Sequence, residues 1–442
     1  MKKTSLVGHT LEVLELFRSQ SRPADSVLAE FFRSRHYLGS RDRRFVAEAY
    51  YGILRNYLLL ESSVQEARGR AGSENYDSPV SPLELYISYA HLVLHEELQT
   101  IINEVTSLAS ATGHGSALSG LLDALRGIAL PNPGADPVRK LSISHSIPET
   151  IVREWFDRFG VVETEHLCMV SNIPAPTTIR VNTLRCSVDE CQSMLGKEGV
   201  GTTRTSLSPV GLVLEKRMNV QSLPAFREGA FEIQDEGSQI LSFLLEPPPG
   251  SRVVDACAGA GGKTLHLAAL MGNKGSILAI DTEPRRLEGL QERAVRAGAT
   301  MIQARLAGDP LIAEWKERAD AVLVDAPCTG VGTFRRNPGS KMTFTWQSVD
   351  AAAERQTVIL NEYAQLVKPG GRLVYATCSL LSEENEEVAD RFLRDHPFFH
   401  AISAPEILAR QEIALSSPTS YLTLLPHKTG TDGFFGAVFQ RE

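Results

Sequence analysis

Apolar residues between Ser5 and about Arg126 recur three and four positions apart, as in Leu11, Val13, Leu14, Leu16 and Phe17, then Val27, Leu28, Phe31 and Phe32, then Phe45, Ala49, Ile53 and Leu54. That spacing places them on one face of a helix, and proline is rare in the stretch, so it predicts an all-α domain. From Gly127 to Pro137 three prolines and two glycines interrupt the pattern, which predicts a linker and a boundary near 138. A mixed stretch follows, with strands expected at 177–182 and 211–214. From about 236 the pattern changes to short apolar runs, at 252–255, 276–281, 321–325 and 372–376, each separated from the next by a helix-length segment. Near-continuous apolar strands alternating with helices predict a doubly wound parallel sheet. The expected organisation is therefore multidomain: residues 1–138 helical, 139–235 a small α/β subdomain, and 236–442 a Rossmann-like α/β domain.

Length agrees with more than one core, since 442 residues exceed what a single domain usually holds. Composition excludes the disordered and fibrous classes, with 43% hydrophobic and 22% charged residues. No apolar core of a signal peptide follows Met1-Lys2-Lys3, and no apolar run nears the roughly 18 residues of a membrane span. A cytoplasmic protein without a membrane partner is the expectation, and no stable protein partner is evident. The formal net charge is −8, yet residues 1–70 hold twelve Lys/Arg against eight Asp/Glu. A basic end on an acidic chain suits a nucleic-acid-binding module joined to a catalytic one, and equally a solvated helical surface.

Six cysteines, at 168, 186, 191, 257, 328 and 378, lack the paired short spacings of a zinc site, so no metal is expected. Their positions against the strands matter more. The first strand of the last domain runs into Asp255-Ala256-Cys257-Ala258-Gly259-Ala260-Gly261-Gly262-Lys263-Thr264. Small residues in a strand-to-helix turn let backbone amides approach a ligand, and the helix N-terminus favours a carboxylate there. Asp281 ends the next strand, near the spacing of roughly 20 residues at which an acid meets a nucleoside ribose. The glycines miss the dinucleotide G-x-G-x-x-G register, which favours S-adenosyl-L-methionine.

Two further strands end in thiols: Asp325-Ala326-Pro327-Cys328 and Tyr375-Ala376-Thr377-Cys378-Ser379. Ligands of an open α/β sheet bind outside the carboxyl ends of its strands, so both thiols should face the cofactor crevice. Carbon 5 of cytosine is a poor nucleophile until a group adds to carbon 6. A thiolate can make that addition, and a second thiol can serve the release of product.

With these segments, the chain resembles the Sun/Fmu (RsmB-type) family of RNA cytosine-5 methyltransferases over nearly its whole length. The resemblance extends to Ile179-Arg180-Val181-Asn182-Thr183, Gln234-Asp235-Glu236-Gly237-Ser238, Gly332-Thr333-Phe334-Arg335-Arg336-Asn337-Pro338, Glu383-Glu384-Asn385 and Gly430-Thr431-Asp432-Gly433-Phe434-Phe435. The N-terminal stretch, with Asp42-Arg43-Arg44-Phe45 and Tyr51-Gly52-Ile53-Leu54-Arg55, is similar to a NusB-like RNA-binding domain. The resemblance implies S-adenosyl-L-methionine as cofactor and small-subunit ribosomal RNA as partner. It places Cys257, Ala258, Gly259, Ala260, Gly261, Gly262 and Lys263 against the cofactor and Asp281 on its ribose. Asp325 falls on the cofactor's amino-acid end or on the target cytosine, Cys378 is the nucleophile, and Cys328 the residue that helps release product. The acid near the adenine is assigned to Asp309, although spacing also allows Leu306 at that position. Two departures stand out: Ala260 replaces a common proline, and Gly339 stands where an aspartate often follows Asn-Pro. Arg180 and Asn182 either orient a loop or touch RNA. The competing reading is an RNA-binding or ribosome-assembly factor whose methyltransferase domain is inactive.

Overall fold

The computed structural model describes residues 1–442 apart from 21, 71–77, 113–127 and 133, and gives no side-chain detail for 107–112. The end of the expected all-α stretch and the Gly127 and Pro133 positions of the expected linker lie outside the described residues. The chain forms two compact units, one of residues 1–174 with 334–344, the other of 175–333 with 345–442.

The first unit is helical. Helices Lys3–Ser19, Ala24–Arg33, Ser40–Arg55, Tyr57–Arg70, Pro82–Leu92 and Leu98–Thr112 turn the residues of the three- and four-spaced pattern inward, so that Val13, Leu14, Phe17, Phe31, Ile53 and Leu54 share one core. Ser81 caps the fifth of these in a reciprocal capping box with Glu84, whose carboxylate also pairs with buried Arg68 at 2.7 Å. Helices Pro137–His145 and Glu149–Ser171 belong to this unit as well. So does the segment Phe334–Phe344, which the chain supplies from far along its length. Arg55 donates to the carbonyls of Asn172 and Arg335, and buried Lys341 donates to the Arg55 and His145 carbonyls and to Asn172 Oδ1, the last at 2.7 Å. Gly339 explains one departure from the family pattern. A Cβ there would stand 2.8 Å from the Ala24 Cβ and 3.1 Å from the Phe17 ring, so the close approach of this segment leaves no room for an aspartate.

The second unit holds two sheets. The smaller is antiparallel, in the order β2-β3-β1-β4, from β1 (Thr178–Val181), β2 (Thr202–Arg204), β3 (Gly211–Leu214) and β4 (Phe231–Ile233). The larger has a parallel centre of β5 (Arg252–Asp255), β6 (Ser276–Asp281), β7 (Ile302–Leu306), β8 (Ala319–Asp325) and β9 (Val367–Thr377). Alternation along β8 and β9 buries both faces: Ala321, Leu323, Val374 and Ala376 face one core, and Val322, Val324, Leu373 and Tyr375 the other. The expected doubly wound sheet is present, with an addition at one edge. β10 (Phe399–Ile402) and β11 (Leu422–Leu424) pair antiparallel with β12 (Phe434–Arg441), which itself runs antiparallel to β9. The overall order β10-β12-β9-β8-β5-β6-β7 reverses direction of growth between β5 and β8. Crevices open at such a reversal, outside the carboxyl ends of the strands.

Candidate functional site

The turn after β5 is built for close approach. Gly259 and Gly261 have φ of 54° and 87°, left-handed values that side chains disfavour, and the helix Gly262–Leu270 starts directly behind them. The turn is held from three sides. Asp281, ending β6, accepts from the Gly259 amide at 2.8 Å and from the Glu283 amide at 2.9 Å. Arg293 donates to the Ala260 carbonyl at 2.6 Å, and Arg180 to the Gly262 carbonyl at 2.6 Å. Arg180 on β1 is 1% exposed, and its burial drops its pKa to about 9. Asn182, also buried, donates to the carbonyls of Gly229 and Ala297. Of the two roles open to this pair, the structure shows loop and subdomain support: the small sheet is fastened to the cofactor turn through β1.

Asp255 and Asp325 end the adjacent strands β5 and β8. Asp255 is fully buried, accepts from Thr264 Oγ1 at 2.6 Å, and leaves Oδ1 unpartnered; burial pushes its carboxyl up to about 7. Asp325 pairs instead with Lys263, whose Nζ lies 2.6 Å from Oδ2. Burial works to lower the Lys263 pKa, but the charges of Asp325, Asp255 and Cys378 outweigh it and keep the ammonium above its usual value.

Cys328 and Cys378, fifty residues apart in sequence, meet with their Sγ atoms 2.8 Å apart. Their loops leave the neighbouring parallel strands β8 and β9, which sets the separation. The Cys378 amide donates to Cys328 Sγ at 3.3 Å. The hydrogen bond with Cys378 and deep burial both push the Cys328 thiol well above the usual range, which keeps it protonated. Backbone passes close by: Gly332 donates to the Cys378 carbonyl at 2.9 Å and accepts from the Gly433 amide at 2.8 Å, and a Cβ on Gly332 would strike the Gly433 oxygen at 2.2 Å.

The structure thus brings together the 257–263 turn, Asp281, Asp325, Cys328 and Cys378 around the ends of β5, β6, β8 and β9. Asp309 stands farther along. Leu306 occupies the end of β7 in register with Asp281, and Asp309 caps the short helix Pro310–Trp315 through the Leu311 amide at 2.9 Å. Two participants went unassigned in the sequence reading. Glu384 and Gln356 are fully buried polar residues that bind the loops of both cysteines; the run Glu383-Glu384-Asn385 was the one sequence sign of the former.

Residues 242–440 match the model of the 16S rRNA methyltransferase RsmB/F family, and residues 147–221 that of the ferredoxin-like domain of RsmF/B-like methyltransferases. A probable ribosomal RNA small subunit methyltransferase B of Bacillus subtilis (strain 168) is 33% identical over 98% of both chains. This chain belongs to the RsmB/F family. A ribosomal RNA small subunit methyltransferase B of Pseudomonas putida is also 33% identical, over 68% of this chain and 67% of its own. The crystal structure of PH0851 superposes with a TM-score of 0.78 at 28% identity, covering 99% of each chain. An RsmB/F methyltransferase uses S-adenosyl-L-methionine and acts on small-subunit ribosomal RNA. The residues here fit that cofactor: a left-handed glycine turn with open space beside Gly259, a helix N-terminus behind it, and a carboxylate at the end of the next strand. Among the described residues no helix is long and apolar enough to cross a membrane.

Proposed function

We propose that this RsmB/F enzyme methylates carbon 5 of a cytosine in small-subunit ribosomal RNA through a covalent cysteine adduct. The observation that carries this reading is the 2.8 Å pairing of Cys328 and Cys378 at the ends of adjacent strands, beside the Lys263–Asp325 ion pair. Methylation of an exocyclic nitrogen or a ribose oxygen needs no thiol.

S-adenosyl-L-methionine, when bound, supplies the methyl group. The turn Cys257 to Lys263 holds it, Asp281 accepts from its ribose, Asp309 lies towards its adenine, and Asp325 orients its amino-acid end or the cytosine. Cys378 Sγ attacks carbon 6 as a thiolate, making a carbon–sulfur bond and leaving carbon 5 electron-rich enough to take the methyl. Loss of the carbon 5 proton to water then restores the ring double bond as the carbon 6–sulfur bond breaks, its electron pair returning to Cys378 Sγ. Cys328, kept as a thiol within reach of the Cys378 sulfur, serves this release. Residues 1–138, read as a NusB-like module, supply RNA affinity; 139–235 assist it, and 236–442 perform the chemistry.

Trapping separates the roles of the thiols. With Cys328→Ala, attack and methyl transfer proceed but release stalls, so protein stays joined to RNA and runs as a slow band on a denaturing gel. With Cys378→Ala no adduct forms and the protein runs free. Exchanged bands would make Cys328 the nucleophile. Methylation by both variants with no trapped band would overturn covalent catalysis, and failure of the wild type to bind labelled S-adenosyl-L-methionine would favour an inactive assembly factor.

A further inference from the structure

Glu384 lies in the short helix Ser382–Glu384 after β9, with no exposed surface. A carboxylate in such a place must have its lone pairs met by donors. Four converge on it. Oε1 accepts from the Thr329 amide at 2.8 Å and from Gln356 Nε2 at 3.1 Å; Oε2 accepts from Thr329 Oγ1 and Ser379 Oγ, each at 2.5 Å. All four donors are uncharged. Thr329 directly follows Cys328, and Ser379 directly follows Cys378.

We propose that Glu384 is the positioning residue that sets the two thiols against each other, a single carboxylate clamping the residue next to each cysteine. This rests on the reading of Cys328 and Cys378 as the reacting groups. Further bonds stiffen the clamp. Gln356 also donates to the Pro327 carbonyl, on the other side of Cys328. Tyr375 donates to the Glu384 carbonyl, while Asn385 donates to the Ser379 carbonyl and accepts from Thr377. The β8 and β9 loops have no other side chain that accepts from the residues following both cysteines among the described hydrogen bonds. Strand pairing and the Gly332–Cys378 and Cys378–Cys328 backbone bonds bring the loops side by side, and Glu384 adds the side-chain acceptor that fixes the residue next to each thiol. Glu384 touches neither sulfur, so its effect on the reaction passes through Thr329 and Ser379.

Glutamine at 384 keeps the shape and one oxygen. Its amide can donate to the two hydroxyls, which turn to accept. Alanine removes every bond. The geometry can be read without RNA or cofactor by oxidising the full-length protein with diamide, which takes two electrons and two protons from the thiol pair to form one disulfide, and mapping the Cys328–Cys378 cross-link by mass spectrometry. The wild type should cross-link readily, Glu384→Ala about tenfold more slowly, and Glu384→Gln close to the wild-type rate. In turnover, Glu384→Ala should lower kcat by about tenfold or more, as misplacement near 1 Å does, with the affinity for S-adenosyl-L-methionine unchanged and Glu384→Gln restoring most of the loss. Should the alanine variant fail to fold, Ser379→Ala, which deletes one donor, should slow both cross-linking and turnover about threefold. An unchanged cross-linking rate in folded Glu384→Ala would overturn the clamp. Slow cross-linking with unchanged turnover would instead overturn the thiol chemistry on which its catalytic meaning rests.

Discussion

Lys263 and Asp325 meet at 2.6 Å between the helix that follows β5 and the end of β8, so one ion pair spans the strands on either side of the reversal in sheet order. Both side chains face the crevice in which the thiols and the cofactor turn converge. Removing one member of a largely buried pair leaves the other charge unmatched, which costs more than the pair contributes. Lys263→Met should therefore lower kcat/KM by about tenfold or more. Steady-state kinetics on ribosomal RNA, with a thermal melt to check folding, decide the matter; wild-type kcat/KM would show that the pair is structural only.

Asp281 already accepts from two amides, and each of its oxygens keeps a lone pair for a ribose hydroxyl. Asp281→Ala should raise the dissociation constant for S-adenosyl-L-methionine about tenfold or more, since hydrogen bonds to a charged group contribute about 1.5–3 kcal/mol. Calorimetric titration measures it. A change within about twofold refutes the ribose assignment.

Burial lifts the Asp255 carboxyl to about 7 in the folded protein, from an ordinary value of 3.8. Between those values the folded state holds a proton that the unfolded chain has lost, so this group's stabilising contribution is full below pH 3.8 and is lost as pH rises towards 7. The full swing is on the order of 4 kcal/mol. Asp255→Asn, which cannot ionise, should gain stability relative to the wild type as pH rises from about 4 to 8. Denaturant unfolding across that range tests the sign, and a difference independent of pH would count against a raised value.

In the helical unit, Gly339→Asp would press a Cβ against Ala24 and Phe17. Overpacking of this kind costs about 1–3 kcal/mol, so the variant should show a lower Tm. An unchanged melt would mean that the segment 334–344 yields without cost.

Much of the site was legible because its parts are local. A glycine turn between an apolar strand and a helix, an acid ending the next strand, and cysteines just after two more strands are each written in a few consecutive residues: 255–264, Asp281, 325–328 and 375–379. The same locality made the helices and the parallel strands readable, since burial on one face of a helix, or on both faces of a strand, imposes a period on the chain. Arg180 could not be settled that way. A cation in an apolar strand reads as surface or core alike, and only the position of the Gly262 carbonyl, 82 residues on, shows that it braces the turn.

What the sequence determined by itself, then, was the local chemistry and the periodicity: helices first, an α/β sheet last, and reactive groups at strand ends. Tertiary structure decided the meetings. The antiparallel edge of β10, β11 and β12 follows from long-range pairing that no local period records, and the apolar run of β12 fits a parallel or antiparallel neighbour equally well. Residues 334–344 join the helical unit because Arg55, Asn172 and His145, distant in the chain, offer acceptors and donors to Arg335 and Lys341. Cys328 and Cys378 come within 2.8 Å because β8 and β9 are parallel neighbours, and Glu384 acquires its four donors only once their loops have been brought side by side. Periodicity reports which face of an element is buried; which residues then share a hydrogen bond depends on strand order and register, which the whole chain must fold to fix.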